Sequence, residues 1–171
     1  LIGGETVLQR SLEAFESAGC FDRVIIVCRK SDSEEASRIA RRALTVPYVI
    51  VEGGRERQYS VENALTAAQG AEVVAVHDGA RCFIDPAVIR ACVEKAYETG
   101  AAAAGVKTKD TIKVAENGII TDTLDRERLV NIQTPQAFKY KLIMDAHRKA
   151  KADGFLGTDE CILLERLGLP V

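Results

Sequence analysis

Asp78 closes an apolar run, "EVVAVH", and is followed at once by Gly79, Ala80 and Arg81. An acid, a tight turn and a base at the mouth of a strand admit two readings. The carboxylate caps the next turn, or it holds a hard cation such as Mg²⁺, which takes one or two protein carboxylates and leaves its other positions to water and phosphate oxygens. In the second reading Gly79 and Ala80 are small so that a nucleotide or metal sits against the backbone. A second stretch, "EGGRERQYS" over residues 52–60, pairs Gly53 and Gly54 with donors from Arg55, Arg57, Gln58 and Ser60 and leads into a helix. Helix N-termini and close backbone approach suit an anionic ligand, yet the same residues also read as a glycine turn, a solvated charge run and a cap. Neither G-x-G-x-x-G nor G-x-x-x-x-G-K-[ST] occurs, so the stretch lends no support to a dinucleotide fingerprint or a P-loop.

Four further stretches hold polar residues: "KDT" at 109–111, "TLDRERL" at 123–129, "QTPQAF" at 133–138 and "TDE" at 158–160. Singly they read as a hairpin edge, a solvated loop, a pre-helix turn and a helix cap. Two histidines, His77 and His147, make a His-based triad or zinc site improbable, and five scattered cysteines without C-x-x-C spacing read as small core hydrophobes in a reducing cytoplasm. With 23 Lys+Arg against 25 Asp+Glu, no global field advertises a nucleic-acid or membrane partner. An anionic ligand must therefore be held by a local cluster of donors.

The elements that position these residues alternate. "TVLQRSLEAFESAG" reads as a helix with Thr6 and Gln9 as a capping box, stopping at Gly19. "RVIIVC" is a continuous apolar run of the kind found in a parallel strand covered on both faces. "SDSEEASRIARRAL" predicts a helix with Ser31 and Glu34 as a second capping box, "YVIVEGG" a strand, and "SVENALTAAQG" a short helix capped by Ser60. "DPAVIRACVEKAYETG" carries Asp85, Pro86 and Gly100 as helix brackets, and "AAAAGV" is placed as a strand. "TIKVAENGIITDTL" predicts a hairpin turning at Asn117-Gly118, which needs a surface to lie on, in its own domain or on a second subunit. "KLIMDAHRKAKADG" and "TDECILLERLG" return to helix, the latter capped by Thr158. The alternation predicts an α/β fold with a mostly parallel twisted sheet, helices on both faces and a protruding hairpin arm. At 171 residues, one domain is expected over 1–171, with 108–132 as a dimerisation arm. Both ends read as cut: residue 1 is Leu, and "LPV" begins what would be another apolar strand.

Taken in order, "GGRERQYSVENAL", "VHDGAR", "KDTIK", "TLDRERL", "QTPQAF" and "TDE" resemble the 2-C-methyl-D-erythritol 4-phosphate cytidylyltransferase family over nearly the whole chain. The resemblance implies a Rossmann-like nucleotidyltransferase fold and a cytoplasmic (in a plant or alga, plastid) homodimer joined through the arm. It implies that CTP and a polyol phosphate are the substrates and a divalent cation, Mg²⁺, the cofactor. By motif, Asp78 would bind the metal and face the polyol phosphate. Gly54, Arg55 and Ser60 would contact cytosine, Gly53 and Arg57 would shape that loop, and Gly79 would lie near the ribose. Thr111 and Arg126 on the arm, with Thr134, would reach the partner's site, Arg126 positioning the incoming phosphate. Arg81 and Thr158 would complete that pocket. The family's glycine-rich loop before the first helix and its N-x-K segment after the last strand are not in these residues, and "HDGARC" departs from the usual pattern at Gly79 and Cys82. Ribitol 5-phosphate transfer and a noncatalytic nucleotide-binding module are the alternatives.

Overall fold

A computed structural model describes residues 1–171. The chain runs α1 (Val7–Ala18), β1 (Val24–Cys28), α2 (Ser33–Ala43), β2 (Tyr48–Glu52), α3 (Arg57–Ala67), β3 (Val73–Val76), α4 (Pro86–Thr99) and β4 (Ala101–Lys107). It continues with β5 (Lys113–Glu116), β6 (Ile119–Thr123), β7 (Val130–Lys139), α5 (Tyr140–Ala152) and α6 (Cys161–Glu165). β1 and β2 pair in parallel. In a separate three-stranded sheet β7 lies between β3 and β4 and is antiparallel to both, so β3 and β4 run the same way and β7 is the reversed strand of that sheet.

Several ends follow the sequence signals. Thr6 Oγ1 accepts from the Gln9 N–H at 3.0 Å, while the Gln9 amide turns to Glu13, leaving half of the capping box. Asp85 accepts from the Ala87 N–H at 2.8 Å ahead of Pro86, and α4 ends on Gly100 at φ 102°. Asn117 and Gly118 both take positive φ, as a two-residue hairpin turn of the expected kind requires.

Four local expectations fail. Ser31 does not cap α2: its hydroxyl donates to the Asp32 carboxylate, and a short 3₁₀ turn at Lys30–Asp32 precedes the helix. α3 starts at Arg57, so Ser60 lies inside it and its Oγ serves the glycine loop. α6 starts at Cys161, with Asp159 rather than Thr158 accepting the Ile162 N–H at 3.1 Å. "QTPQAF" is the core half of β7 and not a turn before a helix. Pro135 inside that run disguised it. Pairing with β4 shifts register between Ala103 and Gly105, opposite the proline, where a missing N–H costs the ladder least.

Alternate residues of β7 feed opposite faces of the sheet. Phe138 packs with Val61, Leu65, Ile143, Leu163 and Leu164 beneath α3, α5 and α6, while Ala137 meets Cys92, Val93 and Ala96 of α4. A third cluster joins α1 and α2 to β1 through Leu12, Ile26, Ile39 and Ala40. Three of the five cysteines are buried as expected, but Cys20 is exposed and Cys28 half-buried. Every residue from 109 to 128 is exposed, so of the two surfaces expected for the β5–β6 hairpin its own domain does not supply one.

His147, on the inner face of α5, is 2 % exposed and its Nε2 has no partner. Burial drives its pKa down to about 4. Because the unfolded ring titrates near 6.5, the unfolded chain binds this proton first, and stability falls as pH drops from about 6.5 towards 4. The loss amounts to about 3 kcal/mol. Urea denaturation at pH 7 and pH 4.5 checks this: a His147→Leu variant is expected to show a shallower pH dependence than wild type, and equal slopes would refute it.

Candidate functional site

The carboxyl ends of β2 and β3 and the segment before α6 converge. Gly53 and Gly54 follow β2, and the Ser60 hydroxyl, one turn into α3, accepts the Gly54 N–H at 3.0 Å and donates to the Glu56 carbonyl. A Cβ on Gly54 would lie 2.4 Å from Tyr59 Cβ, so the loop folds back on α3 only with glycine there. Arg55 projects into solvent with its side chain 91 % exposed, touching only Glu56.

Arg57, the first residue of α3, reaches away from that loop. Its Nη1 donates to both oxygens of Glu160 at 2.9 and 2.8 Å, and its Nη2 stands 3.5 Å from Asp78 Oδ1. Burial opposes the Arg57 charge, but the carboxylates of Glu160 and then Asp78 outweigh it and its pKa rises. Burial likewise pushes the Glu160 carboxyl up, with Arg57 pulling it back. Arg81 Nε donates to Asp78 Oδ2 at 3.0 Å, so Asp78, 39 % exposed, sits between two guanidinium groups.

The backbone of Asp78 is pinned as well. Its N–H donates to Thr134 Oγ1 at 3.1 Å, and that hydroxyl lies 3.0 Å from His77 Nδ1. His77 Nε2 faces the Arg81 carbonyl at 3.2 Å; a carbonyl only accepts, so Nε2 carries the proton and Nδ1 accepts from Thr134. Burial lowers the His77 pKa, which keeps the ring in this neutral form. From the other side, Ser11 of α1 donates to the Gly79 carbonyl at 2.7 Å. Gly79 itself is not demanded by packing, since a Cβ there meets only Leu8 at 3.7 Å.

Two cavities meet at Asp78. A polar one of about 130 Å³ is lined by Arg57, Asp78, Arg81, Ile132, Gln133, Thr134, Gln136, Thr158 and Asp159. A larger one of about 720 Å³ runs between β1 and β3, under α1 and over α3; its body is apolar, and Arg57, Ser60, Asp78 and Gly79 lie at its polar end. Arg57 and Asp78 line both.

Of the residues singled out in sequence, Arg57, Asp78, Arg81, Thr134 and Thr158 are brought together, with Ser60 and Gly79 alongside. Two placements differ from expectation. Thr134, expected to reach a partner's site together with the arm residues, is buried on β7 and holds the Asp78 backbone of its own chain. Arg57 does not shape the glycine loop but ties Glu160 to Asp78. Thr111 and Arg126 line neither cavity, and Arg126 Nη1 donates to the Lys109 carbonyl on the exposed arm. Ser11, Gln136 and Glu160 also serve the site, and they carry no local signal in the sequence because their partners lie far along the chain.

The donors present suit a hard cation only in part-shared form. No three His, Cys, Asp or Glu side chains cluster as a metal cage, and Asp159 is already engaged with Gln136 and the Ile162 N–H. Asp78 is the solvent-reachable carboxylate, which fits an ion completed by water and phosphate oxygens.

Similarity to known proteins agrees with this geometry. The family model described as 2-C-methyl-D-erythritol 4-phosphate cytidylyltransferase matches residues 1–171. Enzymes of that name from Caldanaerobacter subterraneus and Geobacillus kaustophilus are 44 % and 41 % identical, covering 99 % of this chain and 77 % and 75 % of their own lengths. The crystal structure of 4-diphosphocytidyl-2C-methyl-D-erythritol synthase from Anaerococcus prevotii superposes with a TM-score of 0.92 at 30 % identity, over 99 % of this chain and 78 % of that one. The Thermus thermophilus cytidylyltransferase structure gives 0.82 at 30 % identity, over 100 % and 79 %. A chain with this fold, this convergence of motifs and a match to the family model over residues 1–171 belongs to the 2-C-methyl-D-erythritol 4-phosphate cytidylyltransferase family.

Proposed function

We propose that the chain transfers CMP from CTP to 2-C-methyl-D-erythritol 4-phosphate, releasing pyrophosphate, at the junction of the two cavities. The observation that carries this placement is that Asp78 and Arg57 line both, with Ser60 and Gly79 on one side and Arg81 and Thr158 on the other. A phosphate oxygen of the polyol substrate attacks the α-phosphorus of CTP, and pyrophosphate leaves. Two anions must meet, so catalysis rests on positioning and on positive charge at the reacting centre.

CTP lies at the polar end of the larger cavity, its base against the Gly53–Gly54 loop and Arg55, its ribose near Gly79. The apolar body between β1 and β3 does not suit a triphosphate. Asp78 would hold Mg²⁺, which when bound would offset the charge of the triphosphate. Arg81, with Thr158, takes the polyol phosphate in the small cavity. Thr134 acts by fixing the Asp78 backbone, its hydroxyl already donating a hydrogen bond to His77 Nδ1.

The exposed arm supplies the rest from a second copy. Ile112, Val114, Ile119, Ile120 and Leu124 leave it apolar and uncovered, and such a ribbon gains most by lying on another subunit. In the dimer Thr111 and Arg126 enter the partner's small cavity, where Arg126 meets the incoming phosphate. No helix is long and apolar enough to cross a membrane, and a cytoplasmic setting agrees with five unpaired cysteines. Phosphate-coupled detection of pyrophosphate tests the reading, with turnover expected only when CTP, methylerythritol phosphate and Mg²⁺ are all present.

A further inference from the structure

We propose that Glu160, backed by Gln136, is the positioning residue that aims Arg57 at the reacting centre, a role that rests on the cytidylyltransferase reading above. Glu160 is 1 % exposed and its charged partner is Arg57, whose guanidinium lines both cavities. The Glu160 carboxylate is buried while the Arg57 side chain stays 38 % exposed, so desolvation of the carboxylate offsets much of a partly screened attraction and the pair adds little to stability. Its geometry here is useful for another reason. Arginine is long and loses much rotamer freedom when fixed, and both Glu160 oxygens spend themselves on one guanidinium nitrogen, Nη1. Nη2 is left 3.5 Å from Asp78 Oδ1, so the guanidinium is turned toward the proposed reacting centre.

Glu160 is held in turn. The Gln136 side chain, 2 % exposed, accepts the Glu160 N–H at 3.1 Å through Oε1 and donates to Asp159 Oδ2 at 3.0 Å through Nε2. From α3, the Gln58 amide accepts the Gly157 N–H at 2.8 Å and donates to the Phe155 carbonyl at 3.1 Å. Two buried glutamines therefore clamp the segment from 155 to 160. That segment presents Thr158 to the small cavity and Glu160 to Arg57, so one rigid unit sets both the wall of the phosphate pocket and the angle of the arginine. Misplacing a positioned group by about 1 Å costs on the order of 10²-fold in rate.

The test is a double-mutant cycle on the intact chain. Glu160→Gln keeps volume and one acceptor but removes the charge, and Arg57→Lys keeps the charge but removes the fork. Each is expected to lower kcat/KM by about 10²-fold, mostly in kcat, with Tm within a few degrees of wild type. The double variant is expected to be no worse than either single one, since the two act as a unit. Nitrogen-15 NMR of the arginine side chains gives a readout free of activity: the ordered Arg57 signal of wild type is expected to average in Glu160→Gln. Should that variant not fold, Gln136→Met probes the same hold from behind and is expected to loosen the same signal. Wild-type turnover in Glu160→Gln, losses that multiply in the double variant, or an undisturbed Arg57 signal would each overturn the proposal. An inactive wild type would instead count against the cytidylyltransferase reading, and the NMR signal would still decide the positioning.

Discussion

Asp78→Asn is expected to lower kcat/KM for cytidylyl transfer by about 10²–10³-fold, the loss seen when one preorganised charge-stabilising group is removed from a reacting centre. The substitution is chosen because it leaves the surroundings intact. The backbone N–H of residue 78 still donates to Thr134 Oγ1, and an amide oxygen still accepts from Arg81 Nε. The negative charge is what disappears, and with it the hold on a divalent cation and the counterweight to Arg57 and Arg81. Thermal denaturation is expected to stay within a few degrees of wild type, since the side chain is partly exposed and its ion pairs are screened. Pyrophosphate release at saturating CTP and Mg²⁺ is the measurement. Activity within threefold of wild type would remove Asp78 from the centre of the site.

Arg126→Ala is expected to act on the other substrate. Loss of a charged hydrogen bond to phosphate is worth about 1.5–3 kcal/mol, or roughly 10- to 100-fold. It should appear in the KM for methylerythritol phosphate, with CTP affinity unchanged. Equal loss of CTP affinity would contradict the assignment. The position of Arg126 makes a second outcome decisive. It lies on the exposed hairpin arm, bonded to the Lys109 carbonyl, and lines neither cavity of its own chain. If the arm crosses to a second copy, mixing Arg126→Ala with Asp78→Asn protein creates heterodimers in which one site has both residues intact. Activity is then expected to recover on mixing, and failure to recover would argue that each subunit works alone.

The alternating frame was legible because its signals are local. Thr6, Asp85, Pro86, Gly100 and the Asn117-Gly118 pair act within a turn of themselves, and each stands where its chemistry predicts. The local signal misleads where another group claims the residue. Ser60 looks like a cap, but its hydroxyl is taken by Gly54 and Glu56. Thr158 looks like a cap too, but Gln58 and Gln136 hold its segment in a loop and pass the capping to Asp159. β7 was hidden by Pro135, which sits where the ladder already shifts register.

The candidate site divides along the same line. Asp78, Arg81 and the glycine loop announce themselves at strand ends, where ligands of open α/β sheets bind. The pairing of Arg57 with Glu160 spans more than a hundred residues, and that of Ser11 with Gly79 nearly seventy. No periodicity or spacing in one sequence encodes such contacts. They emerge only when the fold brings the ends of β2 and β3 and the segment before α6 together.

The central claim is that two phosphate substrates meet at Asp78, and phosphorus-31 NMR of the reaction tests it most directly. With CTP, 2-C-methyl-D-erythritol 4-phosphate and Mg²⁺, the signals of CTP and the monophosphate should give way to a diphosphate diester and pyrophosphate in equal amounts. Ribitol 5-phosphate in place of the tetritol should turn over far more slowly. Pyrophosphate formed faster with ribitol 5-phosphate would assign the other polyol, and no pyrophosphate with either would contradict the account at its root.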